Sequence, residues 1–383
     1  MKIVYCTDTI CYPGGIQRVT IAKANALADI AGNEVWIVVT DNKLPTPVLA
    51  VSEKVSVVDL GIDYYANDWK SWWYVFEGIL IKRKRHRRKL ERFLNQINPD
   101  VVISTGTSEK YFLPRLNVAS SPARVREIHF SKDYRRRAAQ GWFEKTLAIL
   151  GDFADYHIHI WRYDRIVLLT EEDKRLHWSS DNRISVIPNP VVFSCPSSPS
   201  SLQNKTAIAV GRLVYQKNFE SLIRAWAFVQ QQHDDWCLEI WGDGELRRDL
   251  QEQINRNHLE KTVFLKGYTD NLFSKYADAS FLVCSSLFEG LPLMMIEAMS
   301  CGLPNVSYAC PCGPRDIIRE GENGYLVQTG DEMMLAERIC RLIEDHNLRQ
   351  KMGASARESA KDYAIERIAK LWMNLFVSLC KKN

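Results

Sequence analysis

The chain has 383 residues, too many for one typical core and enough for two domains of ordinary size. With 46% hydrophobic and 25% charged residues it has a globular composition, which excludes a disordered chain. A formal net charge of +4 is too mild to mark a nucleic-acid binder, and no run approaches the roughly 20 apolar residues of a spanning helix.

Short β-branched runs alternate with longer amphipathic ones, the pattern of parallel sheets with helical crossovers. KIVYCT reads as the first strand, followed by a Gly-Gly turn and a helix from about Ile16 to Ile30. EVWIVVTD, VSVVDLG, DVVISTG, RVREIHF, RIVLLTEE and ISVIPNP continue the first set of strands. VVFSCPSSPSSLQNK, rich in Ser and Pro, reads as a linker. TAIAVGRL, CLEIWGDG, VFLKGY, SFLVCSS and PNVSYA form a second set, and the tail from Asp331 is helical in pattern. The layout predicts two doubly wound α/β domains, with ligand loops at the carboxyl ends of the strands and a site in the cleft between the domains.

Ten cysteines are scattered from Cys6 to Cys380, several inside apolar runs where a reduced thiol acts as a small hydrophobe. Cys310-Pro-Cys312 has no second pair or histidine at zinc spacing, and His157-Ile-His159 has no clear third ligand, so no metal is expected. The N-terminal MKIVYCTDTICYPGG carries no signal-peptide pattern, and with the reduced thiols it leads to an expected cytoplasmic location.

The chemistry concentrates in the second half. In SSLFEGLPLMMIEAMSCGLP, Pro292 suits the first helical turn and Gly302 the position past the helix end. Gly290 permits close backbone approach to a ligand, and the helix start offers N–H groups to an anion. Glu289 precedes that helix, and Glu297 lies about a turn and a half inside it. The plain alternative has Glu289 complementing the helix dipole and Glu297 partly exposed. Upstream, AVGRLVYQKNFESLIRAW places Gly211, Arg212 and Lys217 between a strand end and a helix start. Arginine binds phosphate oxygens in a fork and lysine adds a point charge, the pair a diphosphate needs.

The succession of Gly211-Arg212…Lys217, Gly-Asp-Gly at 242–244, the Glu289-x7-Glu297 pair and an Asn-Gly-Tyr-Leu-Val turn at 323–327 resembles family 4 retaining glycosyltransferases of the GT-B type. The resemblance covers nearly the whole chain and is most specific from Gly211 to Val327. It implies two Rossmann-like domains: residues 1–190 binding the acceptor, 191–362 binding the donor, and 363–383 packing back on the first. It implies transfer of a hexose-type sugar from a nucleotide diphosphate sugar, UDP favoured over GDP, to a saccharide or lipid-linked acceptor. Surface polysaccharide, capsule or glycolipid assembly is the setting implied, without metal or cofactor. By the same resemblance Arg212 and Lys217 hold the diphosphate, Glu289 meets the transferred sugar and Glu297 the ribose diol. Gly211, Gly290 and Leu291 line the donor side, and Gly14 and Gly15 form a loop over the phosphates. His129 reaches the donor sugar; a lone histidine at a strand end is equally open to a structural role.

The run from Trp69 to Leu94, WKSWWYVFEGILIKRKRHRRKLERFL, joins aromatic residues to a basic cluster, and Arg135-Arg136-Arg137 adds a second one. It reads as a helix on an anionic membrane, peripheral on the inner face, or as a solvated helix face. Nucleic acid ranks last, because the aromatics do not interleave with the cations. Two rivals to transfer remain, a sugar-nucleotide epimerase and a non-catalytic membrane-surface binding protein.

Overall fold

The computed structural model describes residues 1–12, 14–42, 46–64, 81–178, 181–192 and 199–381. They form two compact units: Met1–Leu169, Lys174–Val192 and Ile365–Asn383 in one, Thr170–Asp173 and Phe193–Ala364 in the other. Residues 170–173 thus go with the second unit although they precede the Ser/Pro-rich stretch.

The N-terminal unit is built on β1 (Lys2–Cys6), β2 (Glu34–Val39), β3 (Val55–Asp59), β4 (Val101–Ser104), β5 (Ala123–Glu127), β6 (Arg165–Leu168) and β7 (Ile184–Val186). All pairs are parallel, in the order β3-β2-β1-β4-β5-β6-β7, so the winding reverses between β1 and β4. Strands such as VVIS in β4 are apolar and buried throughout because helices cover both faces. On one face α1 (Gly15–Ala28) packs Ile21, Ala24 and Leu27 with Ile3, Tyr5 and Ile37. On the other, α2 (Arg83–Ile97) inserts Leu90 and Leu94 beside Val4, Val102 and Leu168. Two helices, α3 (Tyr134–Ala138) and α4 (Trp142–Phe153), and a π-helical turn over Ala154–His159 lead into β6.

Helix α2 accounts for the described part of the basic run; residues 69–80 of that run lie outside the described residues. His86, Leu90 and Leu94 recur at four-residue spacing on the buried side, leaving Lys84, Arg85, Arg87, Arg88 and Arg92 exposed.

The C-terminal unit carries β8 (Thr206–Val210), β9 (Cys237–Trp241), β10 (Val263–Gly267), β11 (Phe281–Cys284), β12 (Asn305–Tyr308) and β13 (Gly324–Val327). Their order is β10-β9-β8-β11-β12-β13, again all parallel, with the reversal between β8 and β11. Helices α5 (Phe219–Gln230) and α7 (Glu332–Glu344) bury Trp226, Val229, Leu335 and Ile339 on one face, and α6 (Leu293–Ser300) follows β11. Fully burying a side chain such as Leu or Val contributes about 1.5–3 kcal/mol.

One expectation is revised. Tyr-Leu-Val after Asn323-Gly324 is an edge strand rather than a turn, in register with β12 from Asn305↔Gly324 to Tyr308↔Val327. Gly324 is required because a Cβ there would run into the Asn305 carbonyl.

The last helix, α8 (Ile365–Cys380), belongs to the N-terminal unit. Its Ile368, Trp372, Phe376 and Leu379 form an apolar stripe in the same core as α1. Among the described residues, no helix is long and apolar enough to cross a membrane.

Candidate active site

A doubly wound sheet opens a crevice where the strand order reverses, because the flanking loops diverge to opposite faces. In the C-terminal unit that point lies between β8 and β11. After β8 the chain passes Gly211 and Arg212, makes a 3-10 turn over Tyr215–Lys217, and enters α5 through Asn218 at φ 50°. A Cβ on Gly211 would lie 2.9 Å from Lys217 Cε and 3.0 Å from Cδ, so the lysine stem runs across a surface that only glycine leaves clear.

The Gly-Asp-Gly segment supports this loop from beneath. Leu213 N–H donates to the Asp243 carbonyl at 3.0 Å, and a Cβ on Gly244 would stand 2.7 Å from Leu213 nitrogen.

After β11 a second loop is hydrogen-bonded to the first. Ser285 Oγ donates to the Lys217 carbonyl at 2.8 Å, Leu287 N–H to the Gln216 carbonyl at 2.9 Å, and Gln216 Nε2 to the Phe288 carbonyl at 2.9 Å. These contacts place Lys217 Nζ 2.6 Å from Glu289 Oε1. Burial alone would lower the lysine pKa, but the adjacent Glu289 charge and its hydrogen bond outweigh it, and the pKa is raised. The ammonium stays charged, as a phosphate-binding cation must.

Arg212 is exposed, and its side chain has no ion pair or hydrogen bond among the described residues. Cys284 and Cys310 also lie near Glu289; burial first, then the Glu289 charge among other causes, raises both thiol pKa values, so both remain neutral.

Pro292 stands at the N-cap of α6, one position ahead of the expected first turn, and Gly302 ends the helix at φ 82°. Gly290 and Leu291 sit between Glu289 and this cap. The Cys310–Pro314 segment backs them: Glu289 N–H donates to the Pro311 carbonyl at 3.3 Å, and Gly313 closes on Pro292 and Gly290. Glu297 is 2% exposed and accepts a hydrogen bond from Tyr276 Oη at 3.3 Å. It is not the partly exposed helix residue of the plain alternative. Gln216, Ser285 and Tyr276 escaped the sequence reading; only Gln216 carried a signal, its place beside Lys217.

The other predicted residues lie in the N-terminal unit. Gly14 is the extended N-cap of α1 and Gly15 its first residue. His129 follows β5 and is buried, with Nε2 3.5 Å from Glu127 Oε1. Burial above all, with Lys23 and Arg126 adding and Glu127 opposing, lowers its pKa to about 4, so the ring is neutral. Beneath it Lys23 of α1 forms a buried ion pair with Glu127 and lies over the Trp372 ring. Burial opposes the Glu127 charge, but Lys23 and its hydrogen bond hold the carboxyl below its ordinary range.

At the carboxyl end of β4, Gly106 has Glu109 and Asp8 converging on it. A Cβ there would lie 2.6 Å from Glu109 Oε2 and 3.0 Å from Asp8 Oδ1. Burial, then Asp8, raises the Glu109 pKa to about 7.

Two Rossmann-like units, each with a parallel sheet covered by helices, define the GT-B fold. S. aureus TarM, solved with fondaparinux, α-GlcNAc-glycerol and UDP, shares it: the TM-score is 0.74 over 98% of this chain and 99% of that chain, at 18% identity. Residues 196–359 match the family described as Glycosyl transferases group 1. An uncharacterized glycosyltransferase of Haemophilus influenzae is 27% identical over 377 residues, 98% of this chain and 99% of that one. The amylovoran biosynthesis glycosyltransferase AmsD of Erwinia amylovora is 31% identical over 220 residues, 55% of this chain and 62% of its own length. The chain therefore has the GT-B fold, with the glycosyl transferases group 1 match confined to its C-terminal unit.

Proposed function

We propose that the protein transfers a hexose-type sugar, with retention and without a metal, from a UDP-sugar to a saccharide or lipid-linked acceptor in surface polysaccharide or glycolipid assembly. The observation that carries this reading is the Lys217–Glu289 contact of 2.6 Å at the strand-order reversal, with Arg212 exposed on the same loop as Lys217. The names of AmsD and of the UDP-bound TarM support the setting and the base.

Breaking the anomeric carbon–phosphate bond leaves positive character on the sugar and negative charge on the diphosphate. Lys217 and Arg212 neutralise the leaving group, and α6 directs its first N–H groups to the same end of the sheet. Glu289, oriented by Lys217 and Gln216, accepts from the sugar hydroxyls. Gly290 and Leu291 admit the sugar by backbone contact, and Glu297 accepts from the ribose diol. The acceptor hydroxyl attacks on the face the diphosphate leaves, and the diphosphate takes its proton. The roles implied for Gly14, Gly15 and His129 belong to the same proposal, as does attachment to the inner face of the membrane through α2.

A panel of labelled nucleotide sugars tests the reading, with hydrolysis and transfer to saccharide and lipid-linked acceptors both followed. UDP-sugar turnover is expected. Binding without turnover across the panel would leave a non-catalytic binding protein, and release of an epimer would leave an epimerase.

A further inference from the structure

The N-terminal unit has a half-open cavity of about 130 Å³ at the carboxyl ends of β4 and β5. Four cations line it, Lys110, Arg126, Lys132 and Arg135, against two carboxylates, Glu127 and Asp155, leaving two positive charges in excess. Asp155 is shared: Lys110 Nζ lies 2.6 Å from its Oδ2, and Arg135 binds the same oxygen. Such a wall attracts a dianion, and a phosphate accepts from several of these donors at once.

The same cavity has polar atoms short of partners. Glu127 Oε2 and both His129 ring nitrogens make no hydrogen bond among the described residues, and the two side chains are 1% and 3% exposed. A buried acceptor and a buried neutral imidazole left so cost free energy until a ligand that both donates and accepts arrives. A sugar hydroxyl does both; with His129 already given to the donor sugar, Glu127 Oε2 is the buried acceptor left for a hydroxyl of a second sugar.

A third observation concerns α4, which connects the wall at Tyr134 and Arg135 to the wall from Asp155 to Ile160. Trp142, Phe143, Leu147, Leu150 and Phe153 of this helix face outward, Trp142 at 81% exposure and Leu150 at 61%. Soluble sugar phosphates have no use for such a face; a hydrocarbon chain does.

We propose that the cavity binds the phosphate and first sugar of a lipid-linked saccharide acceptor, and that the outward face of α4 receives the start of its hydrocarbon chain. This rests on the transferase reading above and names its acceptor class.

Full-length protein saturated with UDP, which occupies the donor site, is titrated with N-acetylglucosamine 1-phosphate. It is then floated with phosphatidylcholine vesicles carrying either polyprenyl phosphate or the same fraction of phosphatidylglycerol. Expected are binding of the sugar phosphate and preference for polyprenyl phosphate over phosphatidylglycerol. Arg135→Gln and Lys110→Gln are each expected to weaken both at least tenfold while UDP affinity is kept. The double variant Leu147→Ser/Leu150→Ser should lose the vesicle preference and keep the sugar phosphate. Arg135 is partly exposed, so its variant stays informative if Lys110→Gln fails to fold. Equal flotation with both vesicle types overturns the lipid assignment, and wild-type affinities in the Arg135 variant overturn the cavity. Failure of the wild type to bind UDP would instead count against the donor reading.

Discussion

Lys217 Nζ and Glu289 Oε1 stand 2.6 Å apart, joining the loops that leave two adjacent parallel strands, β8 and β11. The pair is mostly buried, with side chains 17% and 9% exposed, and each partner fixes the geometry of the other. Lys217→Ala and Glu289→Gln are therefore expected to lower transfer by about 10²–10³-fold, the usual loss when one preorganised charge-stabilising group is removed. Circular dichroism should show a native fold in both. Wild-type turnover in either variant would take that residue out of the mechanism.

Gly211→Ala separates position from charge. The added methyl pushes on the Lys217 stem, whose Cε would be 2.9 Å away, so the ammonium moves while the sheet stays intact. A fall in kcat with near-normal thermal stability is expected. Gly242→Ala differs: Gly242 has φ 135° and its Cβ would strike the Gly211 carbonyl, so a loss of about 1–3 kcal/mol in unfolding free energy is expected by denaturant titration.

The buried Lys23–Glu127 pair should contribute little net stability yet tolerate no single removal. Lys23→Met leaves an uncompensated carboxylate and should cost about 3–5 kcal/mol. The double variant Lys23→Met/Glu127→Leu should recover most of that loss. A double variant as unstable as the single one would mean that packing, not charge, governs the site.

Acid should destabilise the N-terminal unit. Burial lowers the pKa of His86 from 6.5 to about 3, and burial with nearby cations lowers that of His129 to about 4. Below pH 6.5 the unfolded chain takes up these protons before the native state does, so the stability is complete above pH 6.5 and declines as pH falls through 4 for His129 and toward 3 for His86. Glu109 has the opposite sign: with its pKa raised from 4.5 to about 7, its contribution is present below pH 4.5 and is lost as pH rises through 7. His86→Phe should flatten the acid side of a melting-temperature profile; an unchanged slope would exclude His86 as a contributor.

The exposed cations of α2 give a salt-sensitive expectation. Replacing Lys84, Arg85, Arg88 and Arg92 by Gln should weaken co-sedimentation with anionic vesicles, by roughly 1 kcal/mol per cation removed. Binding to neutral vesicles as tight as to anionic ones would remove the electrostatic explanation.

The sequence by itself determined the two parallel sheets, because apolar β-branched runs separated by helical periods admit few other architectures. It also marked Gly211, Lys217, Glu289 and Glu297, whose spacing relative to strand ends is local information. Other features arise only when distant segments meet. The Tyr276 hydrogen bond to Glu297, the Ser285 bond beneath Lys217 and the Glu109–Asp8 convergence on Gly106 join residues whose separations carry no periodic signal. Edge strand β13 read as a turn because its partner, β12, is what makes Gly324–Val327 extended. The cavity around His129 and the apolar face of α4 follow from which side of each helix the sheet covers, and packing alone decides that.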